Sequence, residues 1–272
     1  MTRSIPQRSR AAAAAATLLG LSAWAQAAIV DVTVTVQNLA PANSISFAPL
    51  HLGFNNGSFD AFNLGTVATA PIISVAEGGA GAAWQAAFAM ADPGATRGTV
   101  GGLLQPGSTS SLTLRVDTTL NPFFTFAAMA VPSNDFFIGN DSPTAYRLFD
   151  AGGNLNMPTI HIKAGQIWDA GSEVFDPAAA AFVGTNDLRR PQNSVVAFNF
   201  AELAAFNGLT TGAGYTFSSG LTADSDVYRI AFGVSPVPEP GSYALMGAGL
   251  MAMGFIARRR RSGGRQADTA IA

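Results

Sequence analysis

The chain has 272 residues, 48% of them hydrophobic and 12% charged, with 15 basic and 17 acidic side chains and no cysteine. Globular chains carry roughly 25% charged residues, so this apolar, nearly neutral composition excludes a highly charged disordered protein and a strongly basic nucleic-acid binder. Without cysteine there is no disulfide scaffold, no thiol nucleophile and no Cys-ligated zinc or iron–sulfur centre.

Residues 1–27 have the order of parts of a secretory signal. Arg3, Arg8 and Arg10 form a basic start, Ala11 to Ala23 is apolar, and Ala25 and Ala27 place small residues before a cleavage point at Ala28. The apolar run is too short for a membrane anchor, so export is expected.

Residues 28–235 read as strands. Val30, Val32, Val34 and Val36 alternate with Asp31, Thr33, Thr35 and Gln37, the period of a half-buried strand. The same alternation recurs at Leu112, Leu114 and Val116, at Ile160 and Ile162, and at Tyr228, Ile230, Phe232 and Val234. Phe123 to Val131 and Val195 to Phe200 are further apolar, aromatic-rich runs. Gly, Asn, Asp and Ser clusters separate them. Only Ala82 to Met90 has a helical composition, with Trp84 and Phe88 on one face. The fold class expected is all-β, one antiparallel β-sandwich domain over 28–235.

Three segments of this body carry a resemblance. Val32 to Leu39 with Ala76-Glu77-Gly78-Gly79, then Ser133-Asn134-Asp135-Phe136-Phe137-Ile138-Gly139, then Trp168-Asp169-Ala170-Gly171-Ser172-Glu173, occur in one order. Together they resemble the spondin N-terminal-type domain. The resemblance implies a C2-like sandwich of about eight strands and, in animal relatives, an extracellular-matrix module with bound calcium. Carried over by position, it implies Asp135, Asp169 and Glu173 as calcium ligands, with backbone carbonyls near Ile167 and Trp168. Glu173 stands where the family has Asp. The alternative is that Asp135 and Asp169 cap turns. Asp176, Asn186 and Asp187 fit the turn reading better.

Other chemistry is sparse. His51 and His161 lie far apart in the sequence and make a poor zinc pair. There is no Gly-x-Ser-x-Gly elbow. The cluster Gly78-Gly79-Ala80-Gly81 lacks the lysine and context of a phosphate loop and reads as a flexible connection. No catalytic residue is assigned.

The other end of the chain reads as a second address. Val237-Pro238-Glu239-Pro240 breaks regular structure, Gly241 to Ala257 is uncharged, and Arg258-Arg259-Arg260-Arg261 follow. Seventeen helical residues would just cross a thin bilayer core, with residues 262–272 as a cytoplasmic tail. The whole of 236–261 resembles the PEP-CTERM sorting tail of Gram-negative bacteria. That resemblance implies transient anchoring in the inner membrane, cleavage by an exosortase, and release to the cell surface or extracellular matrix.

The expected function is therefore an exported, non-enzymatic binding or structural module associated with exopolysaccharide or other matrix components. An exported hydrolase acting on matrix polysaccharide and a protein-binding adhesin are the competing readings. Charge bears on the partners. The two ends hold eight of the arginines, which leaves residues 28–235 with seven basic and fifteen acidic side chains, a net charge of −8. An acidic body suits cation binding and not nucleic acid or an anionic membrane surface.

Overall fold

The alternating valines of strand β1 (Ile29–Asn38) face inward and are buried, while the polar residues between them stay half exposed. In the computed structural model, which describes residues 29–198, 200–237 and 240–263, β1 is an inner strand of a four-stranded sheet. Its partner β5 (Thr109–Asp117) runs antiparallel, with Val32 opposite Leu114 and Val34 opposite Leu112. Strands β8 (Thr159–Lys163) and β10 (Asp226–Pro236) complete the order β5-β1-β10-β8.

The second sheet holds β2 (Ser46–Phe47), β3 (Leu50–Asn55), β4 (Thr96–Val100), β6 (Phe123–Val131), β7 (Phe136–Gly139) and β9 (Trp168–Asp169). Its order is β4-β3-β6-β7-β9, with β2 added against β6. The protein is thus mostly β, two antiparallel sheets of ten strands, consistent with a β-sandwich. The count exceeds the eight expected. Strands β2 and β9 have two residues each, too few to show any period in the sequence.

Strand β6 is buried almost throughout. Phe124, Phe126, Ala128 and Ala130 face the sandwich core with Phe54, Phe149 and Phe232. Ala127 belongs to a second core with Ile72, Val75, Trp84, Phe88 and Phe137, under two helices, α1 (Ala70–Gly78) and α2 (Ala82–Ala91). Covered on both sides, β6 is continuously apolar instead of alternating. Helix α2 occupies the segment expected to be helical. Helix α1 is unexpected: its Ile72, Ile73 and Val75 favour strands locally, but Pro71 starts it and Gly79, at φ 65°, ends it by donating to Val75 O. Gly53 leaves room for the Phe88 ring where α2 lies on β3.

The apolar run Val195 to Phe200 forms no named strand. It contributes bridges, Val195 to Val67 and Ala197 to Asp169, and Phe200 begins a 3₁₀ helix, Phe200–Phe206.

The described residues divide into two compact units, one up to Ser235 and one from Pro236 on. In the second, α3 (Pro240–Gly263) is a helix spanning the uncharged stretch and the arginines. The membrane-crossing helix expected there is corrected: no helix among the described residues is long and apolar enough to cross a membrane. The uncharged stretch ends after 17 residues, four of them glycine, where the charge of Arg258 begins. The signal expected at 1–27, with Ala25 and Ala27, lies outside the described residues, as do Pro238, Glu239, residues 264–272 and the side chains of Pro240, Arg259, Arg260 and Arg261.

Candidate functional site

The segments Ser133–Gly139 and Trp168–Glu173, 35 residues apart, meet in the fold. Strand β7 pairs with β9, setting Phe136 opposite Asp169 and Phe137 opposite Trp168. The turn after β9 explains the Trp-Asp-Ala-Gly pattern. Asp169 Oδ1 accepts the Gly171 N–H at 2.7 Å, and Gly171 sits at φ 64°, where a Cβ would press on Ser194 and Val195. Gly is required there by backbone and by space.

Asp135 is 2% exposed. Its Oδ2 accepts three hydrogens, from Ser172 N at 2.6 Å, Ser172 Oγ at 3.1 Å and Glu173 N at 3.0 Å. The Asp169 carboxyl touches that of Asp135 and is pushed up to about 7, first by burial, then by the Asp135 charge, with Glu202 adding to it. Burial beside a second carboxyl group favours the protonated form of Asp169.

Glu173 does not join them. Its Oε1 lies 3.2 Å from Arg189 Nη1, and Arg189 Nη2 donates to Glu77 O at 2.8 Å. Burial is the main reason the Glu173 carboxyl rises to about 6, against the opposing pull of Arg189. Asn134 Nδ2, Arg189 Nε and Glu173 Oε2 are buried without a hydrogen-bond partner among the described residues. The Arg189 guanidinium beside Glu173 Oε1 is a cation already in place and repels a second one. Among the described residues no group of three or more His, Asp or Glu side chains is placed to hold a metal ion.

The remaining candidates have structural roles. Asp176 Oδ1 accepts Ala178 N, a local turn, and Asn186 and Asp187 lie in a single 3₁₀ turn, Asn186–Leu188. His51 is buried, bonding Gly79 O through Nε2 at 3.0 Å and Thr99 Oγ1 through Nδ1 at 3.1 Å. A carbonyl acceptor makes Nε2 the protonated nitrogen, and burial lowers the pKa, so the ring is neutral. The Gly78-Gly79-Ala80-Gly81 connection is shaped by this ring: a Cβ on Gly81 would run into it. His161 is exposed beside Asp226, 3.3 Å away. Arg189 and Asn134 carried no signal in the sequence, because their effect on Glu173 depends on a loop closing over α1.

Residues 236–261 match the family model of the PEP-CTERM protein-sorting motif. This motif points to a protein exported and sorted to the cell surface, with a transient exosortase interaction. The match stops at the tail and does not reach the sandwich. No curated protein matches the chain.

Proposed function

We propose that the chain is a non-enzymatic binding or structural module, delivered to the cell surface and associated with exopolysaccharide or other matrix components. The observation that carries the reading is the sorting motif at 236–261 behind a two-sheet β body. Release by exosortase from the inner membrane of a Gram-negative cell is part of the proposal, as is the spondin-like character of the sandwich. The latter is supported by two of its signature segments pairing as β7 and β9. The absence of enzymatic activity is supported by the histidines, one locked between a helix connection and a strand, the other on an open sheet face. Co-sedimentation with matrix purified from the producing cell tests the role, and a protein that stays in the supernatant overturns it.

Calcium belongs to the proposal in reduced form, at Asp135 and Asp169 without Glu173. Support comes from the crowding of two carboxyl groups in one buried place, a repulsion that a divalent cation relieves. The residues fit such an ion only in part, since Ca²⁺ takes about 6–8 oxygens and one oxygen of each carboxyl already serves a turn.

The runner-up is a hydrolase acting on matrix polysaccharide, favoured by an Asp169 that titrates near neutrality. Against it, Asp135 is almost wholly buried and its Oδ2 is saturated by its own scaffold.

A further inference from the structure

The two sheets meet differently at their two flanks. At one flank the edge strands β4 and β5 lie against each other: Thr96 Oγ1 donates to Arg115 O at 3.2 Å, and Gly98 leaves just enough room for Leu112. At the other flank the edge strands are β8 and β9, and between them opens a cleft of about 290 Å³. Trp168 and Tyr146 line it, with Ile162 among the apolar wall and Asn140, Asp141, Ser142 and Gln166 among the polar one.

This cleft is built from fixed parts. The Trp168 ring is held by its Nε1 donating to Gly139 O at 3.1 Å and by the Phe62 ring, 6.1 Å away. Tyr146 leans on Phe126 at 5.8 Å, and its backbone carbonyl accepts Phe124 N at 2.9 Å. Asn140 is spent on the scaffold, with Oδ1 taking Phe126 N and Nδ2 serving Ser142 O. Others keep capacity to spare. Gln166 uses Oε1 for Lys163 N, and its amide N–H groups have no partner among the described residues. Asp141 uses Oδ1 for Leu64 N and keeps a second carboxylate oxygen. The Tyr146 hydroxyl has no hydrogen-bond partner among the described residues either.

We propose that this cleft binds one neutral pyranose unit of a polysaccharide chain. The inference rests on the matrix-binding reading and deepens it by naming a ligand class and its site. A pyranose has an apolar face of axial C–H bonds that packs on an aromatic ring, and equatorial hydroxyls that pair with amide, hydroxyl and carboxylate groups at its edge. Fixed aromatics with a few polar groups give that combination. No basic side chain lines the cleft, so a phosphate, sulfate or uronate finds no countercharge. The volume, about 290 Å³, falls just short of the roughly 300–1,000 Å³ of small-molecule sites, room for one ring and not for a large cofactor.

The test titrates the full chain with cellohexaose, mannohexaose and, as an anionic comparison, hexagalacturonate. A neutral hexasaccharide is expected to bind and to change the fluorescence of Trp168, with Trp168→Phe removing the change. Gln166→Ala and Tyr146→Phe should each weaken binding by about tenfold, 1.4 kcal/mol, with the melting temperature unchanged. The proposal is overturned if neither neutral sugar binds, if hexagalacturonate binds best, or if both substitutions leave the affinity as it was. Matrix co-sedimentation separates the two readings. Matrix binding that survives both substitutions overturns the cleft alone, whereas sugar binding without matrix association supports the cleft and overturns the matrix role alone.

Discussion

Glu173 Oε1 and Arg189 Nη1 stand 3.2 Å apart, with the carboxylate side chain only 4% exposed. The pairing decides which acidic groups act together. It gives Glu173 a cationic partner of its own and ties the loop after β9 to the carbonyl end of α1 through Glu77 O. Removing one partner leaves the other charge buried. Arg189→Ala is therefore expected to cost about 3–5 kcal/mol in urea denaturation, and Glu173→Leu combined with Arg189→Met to recover most of that loss.

The carboxyl groups make stability depend on pH with a definite sign. Asp169 near 7 and Glu173 near 6 lie above their unfolded values. Between about pH 4 and 7 the folded chain holds protons that the unfolded chain has released, so stability is full at the acidic end and falls as pH rises through 7. Urea midpoints across that range should decline, and Asp169→Asn, which keeps an acceptor for Gly171 N, should flatten the decline.

Calcium at the Asp135–Asp169 pair predicts a saturable heat on titrating the full chain with calcium chloride, and an opposite response to pH. The ion displaces the Asp169 proton, so binding should strengthen as pH rises through 7. Asp169→Asn should abolish the heat and Glu173→Gln should leave it. A flat isotherm for the unaltered chain would remove calcium from the account.

Packing around His51 predicts a strong response at Gly81. A methyl group there meets the imidazole ring, and Gly81→Ala should destabilise by about 1–3 kcal/mol. In a His51→Ala background the same change should cost much less, a coupling that a double-mutant cycle of thermal melts would read.

The sorting motif predicts a cell-level outcome. Replacing Val237, Pro238, Glu239 and Pro240 together by serine should leave unprocessed chain in the cell. Mass spectrometry of the protein released by unaltered cells should find it cut near this motif.

Much of the architecture could be read from local pattern. The valines of β1, the alternating residues of β5 and β8 and the inward face of β10 repeat every second residue because one side of each strand meets the core and the other meets water. Helix α1 could not be read this way. Its β-branched residues favour strands, and it exists because an apolar face at Ile72 and Val75 buries against Ala127 and Phe137 from distant strands. The sorting tail is legible for a different reason: its motif is defined by the order of residues in one short stretch, 236–261, so the information is local by nature.

The site divides in the same manner. The sequence alone determined that an Asp-containing segment ends at Gly139 and that another begins at Trp168, and the Asp169–Gly171 turn follows from residues two positions apart. Only the tertiary structure decided that Asp135 and Asp169 touch, that Glu173 turns to Arg189, and that Trp168 and Tyr146 flank one cleft. Each of these is a contact between side chains brought together by strand pairing and loop closure. A carboxyl group's proton, partner and exposure are set by that surrounding space and not by its neighbours in the chain.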